Sequence, residues 1–181
     1  LPLSNSLALV AHWLFIFAIG GQQTLIADER DIGDIVKALR KSPPNMLALT
    51  GSLYGALAGS GALAKANLSQ LALCLGENVA PDAAARWADA SGRMIARAYG
   101  RPQAPVISMS RFEGPQSGNF GYPLPGCDAH IRDGELWVQG PQAMAGFWNR
   151  PEESAQALAD GFVRIGAKAA LDESGALALQ D

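Results

Sequence analysis

Apolar and polar positions alternate along this chain with three different periods, and each period predicts a different kind of element. Residues 7–19 are almost continuously apolar, which predicts a buried or interfacial helix that ends at Gly20-Gly21. Residues 24–27 predict a short buried strand. Ile32, Ile35, Val36 and Leu39 then recur at helical spacing behind Asp31, a cap residue, with Lys37, Arg40 and Lys41 toward the carboxyl end, where the helix dipole favours cations. Pro43-Pro44 stops that helix, and residues 46–49 predict the next strand.

The same alternation of strand and helix continues. Residues 52–58 and 62–66 predict helices on either side of Gly59-Ser60-Gly61, and residues 71–75 a strand. Residues 81–90 predict a helix with Pro81 in its first turn and Gly92 beyond its end, and residues 94–98 a last buried strand that delivers Tyr99 at its exit. Strands separated by helices imply a parallel sheet with crossover connections. A proline-rich turn follows Gly100.

Beyond Ser108 the period shortens. Ala129 and Ile131 alternate with Asp128, His130 and Arg132, and Asp133-Gly134 is a strong two-residue hairpin signal, with residues 135–139 as the return strand. Residues 151–159 predict a short helix closed by Asp160-Gly161, and residues 162–165, 169–171 and 176–179 predict strands. The fold class expected is therefore α/β: a flavodoxin-like, mostly parallel sheet over residues 1–107, then a small antiparallel, barrel-like β unit over residues 108–181.

Composition narrows the function classes. A chain of 181 residues with 49% hydrophobic content can bury a real core. Fourteen basic against 17 acidic residues, with no basic block, leaves no electrostatic footprint for nucleic acid. Two cysteines, Cys74 and Cys127, suit reduced thiols better than a disulfide framework, and a cytoplasmic location is the default. The 7–19 run is shorter than the roughly 20 residues a membrane span needs and contains His12, so membrane contact is at most peripheral. No Gly-x-Ser-x-Gly elbow and no Cys/His metal spacing occurs in the sequence. Gly51, Gly55, Gly59 and Gly61 lack the Gly-Lys-Ser/Thr ending of a phosphate loop and read as packing glycines. His12 reads as a core histidine, His130 as a solvated strand residue, and Glu152-Glu153 as acids at a helix start.

Five stretches carry a resemblance. They are the opening LPL, Gly20-Gly21, Tyr99-Gly100, the run SGNFGYPLPG at 117–126 and the run GPQAMAGFWNRPE at 140–152. In order and spacing they resemble the AMP-forming acyl-CoA synthetases, the adenylate-forming ligases, and are most similar to the bacterial long-chain fatty-acyl-CoA ligases. By that register the sequence covers the latter part of the family's large domain, after its phosphate loop and up to the hinge to its small C-terminal domain.

The resemblance implies ATP and Mg²⁺ as cofactors, a fatty or related carboxylic acid as acyl ligand, and a thiol acceptor. It also assigns positions. Tyr99 and Gly100 open the Tyr-Gly-x-Thr-Glu motif, but Pro102 stands at the threonine and Gln103 at the magnesium-holding glutamate. Ala167 stands at the ribose-binding aspartate, and Gly76-Glu77-Asn78 at the glycine-rich adenine turn. Ser4-Asn5 replaces an aromatic-histidine pair. Pro102 has no side-chain donor, and an amide is a poor ligand for a hard cation. The expectation is a ligase-like adenylation module whose catalytic positions have decayed, leaving this chain alone inactive and without a metal site. Two readings stay open for Tyr99, adenine stacking or an ordinary strand-end aromatic. The rival functional reading is a non-catalytic acyl-binding or interaction module, with missing ligase subdomains or a homo-oligomer as partner.

Overall fold

The computed structural model describes residues 4–26, 30–77, 79–110 and 120–180, and the backbone but not the side chain of Ala11. The opening LPL, Ala27, Asn78, residues 117–119 of the 117–126 run and Asp181 lie outside the described residues. The chain divides into two compact units, Leu1–Arg97 and Ala98–Asp181.

The first unit is built on a β-α-β-α-β repeat. Strands β1 (Met46–Thr50) and β2 (Leu73–Glu77) pair in parallel, and β2 pairs in parallel with the start of β3 (Ile95–Arg101). Helix α3 (Gly51–Gly59) crosses from β1 to β2 and α4 (Pro81–Ser91) from β2 to β3. Helix α2 (Ile32–Lys41) precedes β1, capped as its sequence predicts: the Asp31 side chain accepts from Asp34 N–H at 3.0 Å. Pro81 opens α4, and Gly92 closes it at φ 67°, a left-handed conformation that glycine adopts at little cost.

One core joins these elements. Ile35, Val36 and Leu39 of α2 meet Leu53, Tyr54 and Leu57 of α3, Ala83 and Trp87 of α4, and the strand residues Leu49, Cys74 and Ile95. Tyr54 and Trp87, both fully buried, meet edge to face with ring centroids 4.7 Å apart. The Tyr54 hydroxyl lies 2.8 Å from Leu47 O and 3.0 Å from Leu75 O, so its proton serves one of two strand carbonyls.

One expectation for this unit fails, and of a buried or interfacial helix at 7–19 the structure does not show burial throughout. The 7–19 run is helical, as a π-helical stretch Ala8–Leu14 leading into α1 (Phe15–Ala18), but it is not buried along its length. Leu7 and Ala8 are buried, whereas Phe17 is 76% exposed and Ile19 62% exposed. Residues 24–26 form no strand, and Leu25 is 61% exposed. Apolar character signals a demand for burial; among the described residues nothing pairs with 24–26 to meet it. Smaller differences are that residues 62–66 form a single 3-10 turn, Ala62–Lys65, and that β2 begins two residues later than hydropathy suggests.

The second unit is antiparallel. From Ala98 onward β3 pairs with β4 (Ala104–Met109), which pairs with β5 (Tyr122–Pro123). A second ladder runs β10 (Leu177–Leu179), β9 (Phe162–Leu171), β7 (Glu135–Gln139), β6 (Asp128–Arg132). Phe120 N–H donates to Leu177 O and Leu177 N–H to Gly121 O, both at 2.7 Å, and these bonds tie the two ladders into a curled half-barrel. Asp133 and Gly134 both have positive φ, the hairpin geometry their sequence predicts.

Here too the sequence reading needs correction. The stretch taken as a proline-rich turn is mostly strand β4, and the turn itself is only Pro102-Gln103. Residues 162–171 are one strand, because Gly166 at φ 70° lets the backbone pass a distortion without ending the ladder. Helix α5 (Pro151–Ala157) stops short, and β8 (Leu158–Ala159) returns to pair with β9.

Candidate functional site

The assigned positions fall in both units. In the first, the carboxyl ends of β1 and β2 lie side by side, with Thr50 in register with Glu77. Ligands of open α/β sheets bind at such ends. Thr50 is engaged locally, accepting from Leu53 N–H at 3.3 Å to cap α3. Gly76 is glycine for a packing reason: a Cβ there would lie 2.9 Å from the Ile95 side chain and collide with that of Val79. The surviving glycine of the supposed adenine turn is therefore a strand residue packed into the unit's core.

Glu77 turns its carboxylate to Asn5. Asn5 Nδ2 donates to Glu77 Oε2 at 2.6 Å, while Asn5 Oδ1 accepts from Ala8 N–H at 3.0 Å, capping the N-terminal helix. The backbone bond fixes which end of the amide faces Glu77. Two positions at which the sequence departs from the ligase pattern thus touch each other. Their separation of 72 residues leaves no local signal in the sequence. His12, on the same helix, is half-buried, and burial lowers its pKa below the usual imidazole value.

In the second unit Tyr99 lies within β3, not at a strand exit, and is only 5% exposed. Its ring is tilted against Phe120 at 5.4 Å, and its hydroxyl accepts from Arg101 Nε at 3.3 Å. Arg101 stands at the position the motif leaves unspecified, so no sequence signal singles it out. Gly100 sits where the register shifts between Tyr99 and Arg101, and a Cβ there would lie 2.9 Å from Ala104 O and run into the Pro105 carbonyl. Pro102 and Gln103 form the β3–β4 turn. Gln103 O accepts from Met144 N–H at 2.8 Å, which joins the 140–152 run to the turn. That run is braced in turn by Ser154, whose Oγ donates to Arg150 O at 2.7 Å and accepts from Phe147 N–H at 2.8 Å. Ala167 lies on β9, buried in the same core cluster as Tyr99.

In the register that the resemblance implies, these positions offer few polar groups to an ATP-magnesium group. The turn offers a proline ring and a neutral amide in place of hydroxyl and carboxylate, and Ala167 offers a methyl in place of a ribose acceptor. Among the described residues, no group of three or more His, Cys, Asp or Glu side chains stands together as a metal site. The described thiols are buried, and burial pushes Cys74 up to about 11 and raises Cys127, so neither is poised as a nucleophile. Among the described residues no helix is long and apolar enough to cross a membrane.

Residues 1–148 match the family model described as AMP-binding enzyme. The long-chain-fatty-acid–CoA ligase of Yersinia pestis is 32% identical over 196 residues, which take in 100% of this chain and 35% of that protein. A feruloyl-CoA synthase from an Amycolatopsis species is 28% identical over 95% of this chain and 40% of its own length. In fold, the chain superimposes on ATP-bound MatB from Rhodopseudomonas palustris with a TM-score of 0.86 at 20% identity, covering 99% of this chain and 38% of the other. The chain spans about a third of the length of the curated relatives it matches.

Proposed function

The chain belongs to the AMP-binding enzyme family, and we propose that it is an acyl-CoA-ligase-like adenylation module for a fatty or related carboxylic acid whose nucleotide and magnesium contacts are lost. Acyl-adenylate formation needs a carboxylate held in line with the α-phosphate, a cation to neutralise developing charge, and a clasp on the ribose. One observation carries the proposal: identity runs through the whole chain, yet the three positions that would bear the polar contacts hold Pro102, Gln103 and Ala167. Losing a single oriented polar contact in an active site typically costs about a hundredfold to a thousandfold in rate. Three together leave little turnover.

The whole ligase's activity, with ATP, Mg²⁺ and a thiol acceptor in the cytoplasm, extends this proposal to a longer polypeptide or to separate ligase subdomains that complete the fold. The direct test is pyrophosphate release from ATP with magnesium and a series of fatty acids. The chain is expected to release no more than its Gln103→Ala variant, and release well above that variant refutes the impaired site.

A second reading, a non-catalytic acyl-binding or interaction module, is favoured by the exposed Phe15, Phe17, Ile19 and Leu25 of the first unit, since exposed apolar side chains gain from being covered by a ligand or partner. Native mass spectrometry separates the two: bound lipid or a dimer supports the module, and a lone ligand-free monomer removes its support.

A further inference from the structure

Among the described residues, the buried side chains of the N-terminal helix lie at its start. Leu7 and Ala8 are buried, whereas exposure is high by Phe17 and Ile19 near the other end. At the start, Asn5 uses both halves of its amide: Oδ1 caps the helix at Ala8 N–H, and Nδ2 holds Glu77 Oε2 at the carboxyl end of β2. Gln23 Nε2 reaches back to Trp13 O at 2.6 Å, but that bond joins the helix to its own following loop and not to a strand. Glu77 in turn follows Gly76, where an added Cβ would meet the side chains of Val79 and Ile95, so this end of β2 is closely packed.

From this geometry we propose that Asn5 and Glu77 are a positioning pair, a latch that holds the start of the N-terminal helix at the carboxyl end of β2. A charge-assisted hydrogen bond between half-buried groups is stronger than a neutral one, and the helix it anchors contributes few buried side chains beyond Leu7 and Ala8. Breaking the bond therefore frees the helix while the parallel ladder of β1, β2 and β3 stays intact. Because the ends of these strands are where α/β sheets take ligands, any group that claims the Glu77 carboxylate competes with Asn5, and occupancy there is coupled to release of the helix. The pair does not depend on adenylation, so its test needs no nucleotide.

Amide hydrogen exchange on the full chain measures the latch. In Glu77→Ala the amides of residues 8–18 are expected to exchange about tenfold faster, the scale of a local opening made easier by one lost bond. Those of residues 95–99 should be unchanged, showing that the fold persists. Glu77→Gln keeps an oxygen that accepts from Asn5 Nδ2 but lacks the charge, and should place exchange at 8–18 between the two, about threefold faster than the original. Unchanged exchange in Glu77→Ala, or equal acceleration in Glu77→Gln, overturns the latch.

Discussion

The two units treat their apolar residues in opposite ways. Among the described residues of the first, Leu14, Phe15, Phe17, Ile19, Leu25 and Ile26 stand in water although its own core is well filled. Among those of the second, the large exposed apolar side chains are Trp148 and Leu171, and β7 and the middle of β9 alternate buried with less buried positions. Hydropathy states how much surface must be covered, not what covers it. An antiparallel unit answers that demand with its own strands; the α/β unit carries apolar surface that its own core leaves uncovered.

The largest expected effect tests whether the first unit's core is self-sufficient. Trp87→Ala removes a fully buried ring packed on Tyr54 and should cost about 3–5 kcal/mol in denaturant unfolding. Exchange protection should fall throughout residues 32–95 if that unit is one cooperative core, and a loss confined to α4 would break the comparison. Gly100→Ala comes next, in the second unit. With the Pro105 carbonyl in the way, the β3–β4 pairing must shift, at a cost of about 1–3 kcal/mol, and a melting temperature equal to the parent's would show that the close approach is absent. Smaller still is Asp31→Ala, which loses the α2 cap and should cost about 1 kcal/mol, read as faster exchange in the first turn of α2 only.

A further effect is set by pH. Cys74 titrates near 11 in the folded chain against an ordinary 9.0, so it is neutral and stable in the core below pH 9. Between about 9 and 11 the unfolded chain loses this proton and the folded chain keeps it, so stability falls as pH rises through that window. Melting temperatures from pH 8 to 11 should decline less steeply in Cys74→Ala than in the parent, and parallel curves would remove Cys74 from the account.

Much of the fold was legible where local chemistry and tertiary packing agree. Asp31, Pro81, Gly92 and Asp133-Gly134 marked their boundaries because each meets a backbone requirement on the spot. Strand β4 was hidden by Pro105, a strand-breaking signal that a β3–β4 hairpin tolerates. The single strand β9 was split by Gly166, and the exposure of 24–26 depends on surfaces that sequence spacing does not encode. For the candidate site, the exchanged residues at 102, 103 and 167 were readable only through resemblance. The tie between Gln103 and Met144 and the bond between Asn5 and Glu77 join distant segments, and no periodicity announces them.

Titration calorimetry with AMP and magnesium tests the loss of the nucleotide site most directly. The account predicts no saturable heat at AMP concentrations that saturate an active ligase, in the parent chain and in Gln103→Ala alike. Saturable, magnesium-dependent binding that weakens in Gln103→Ala contradicts it.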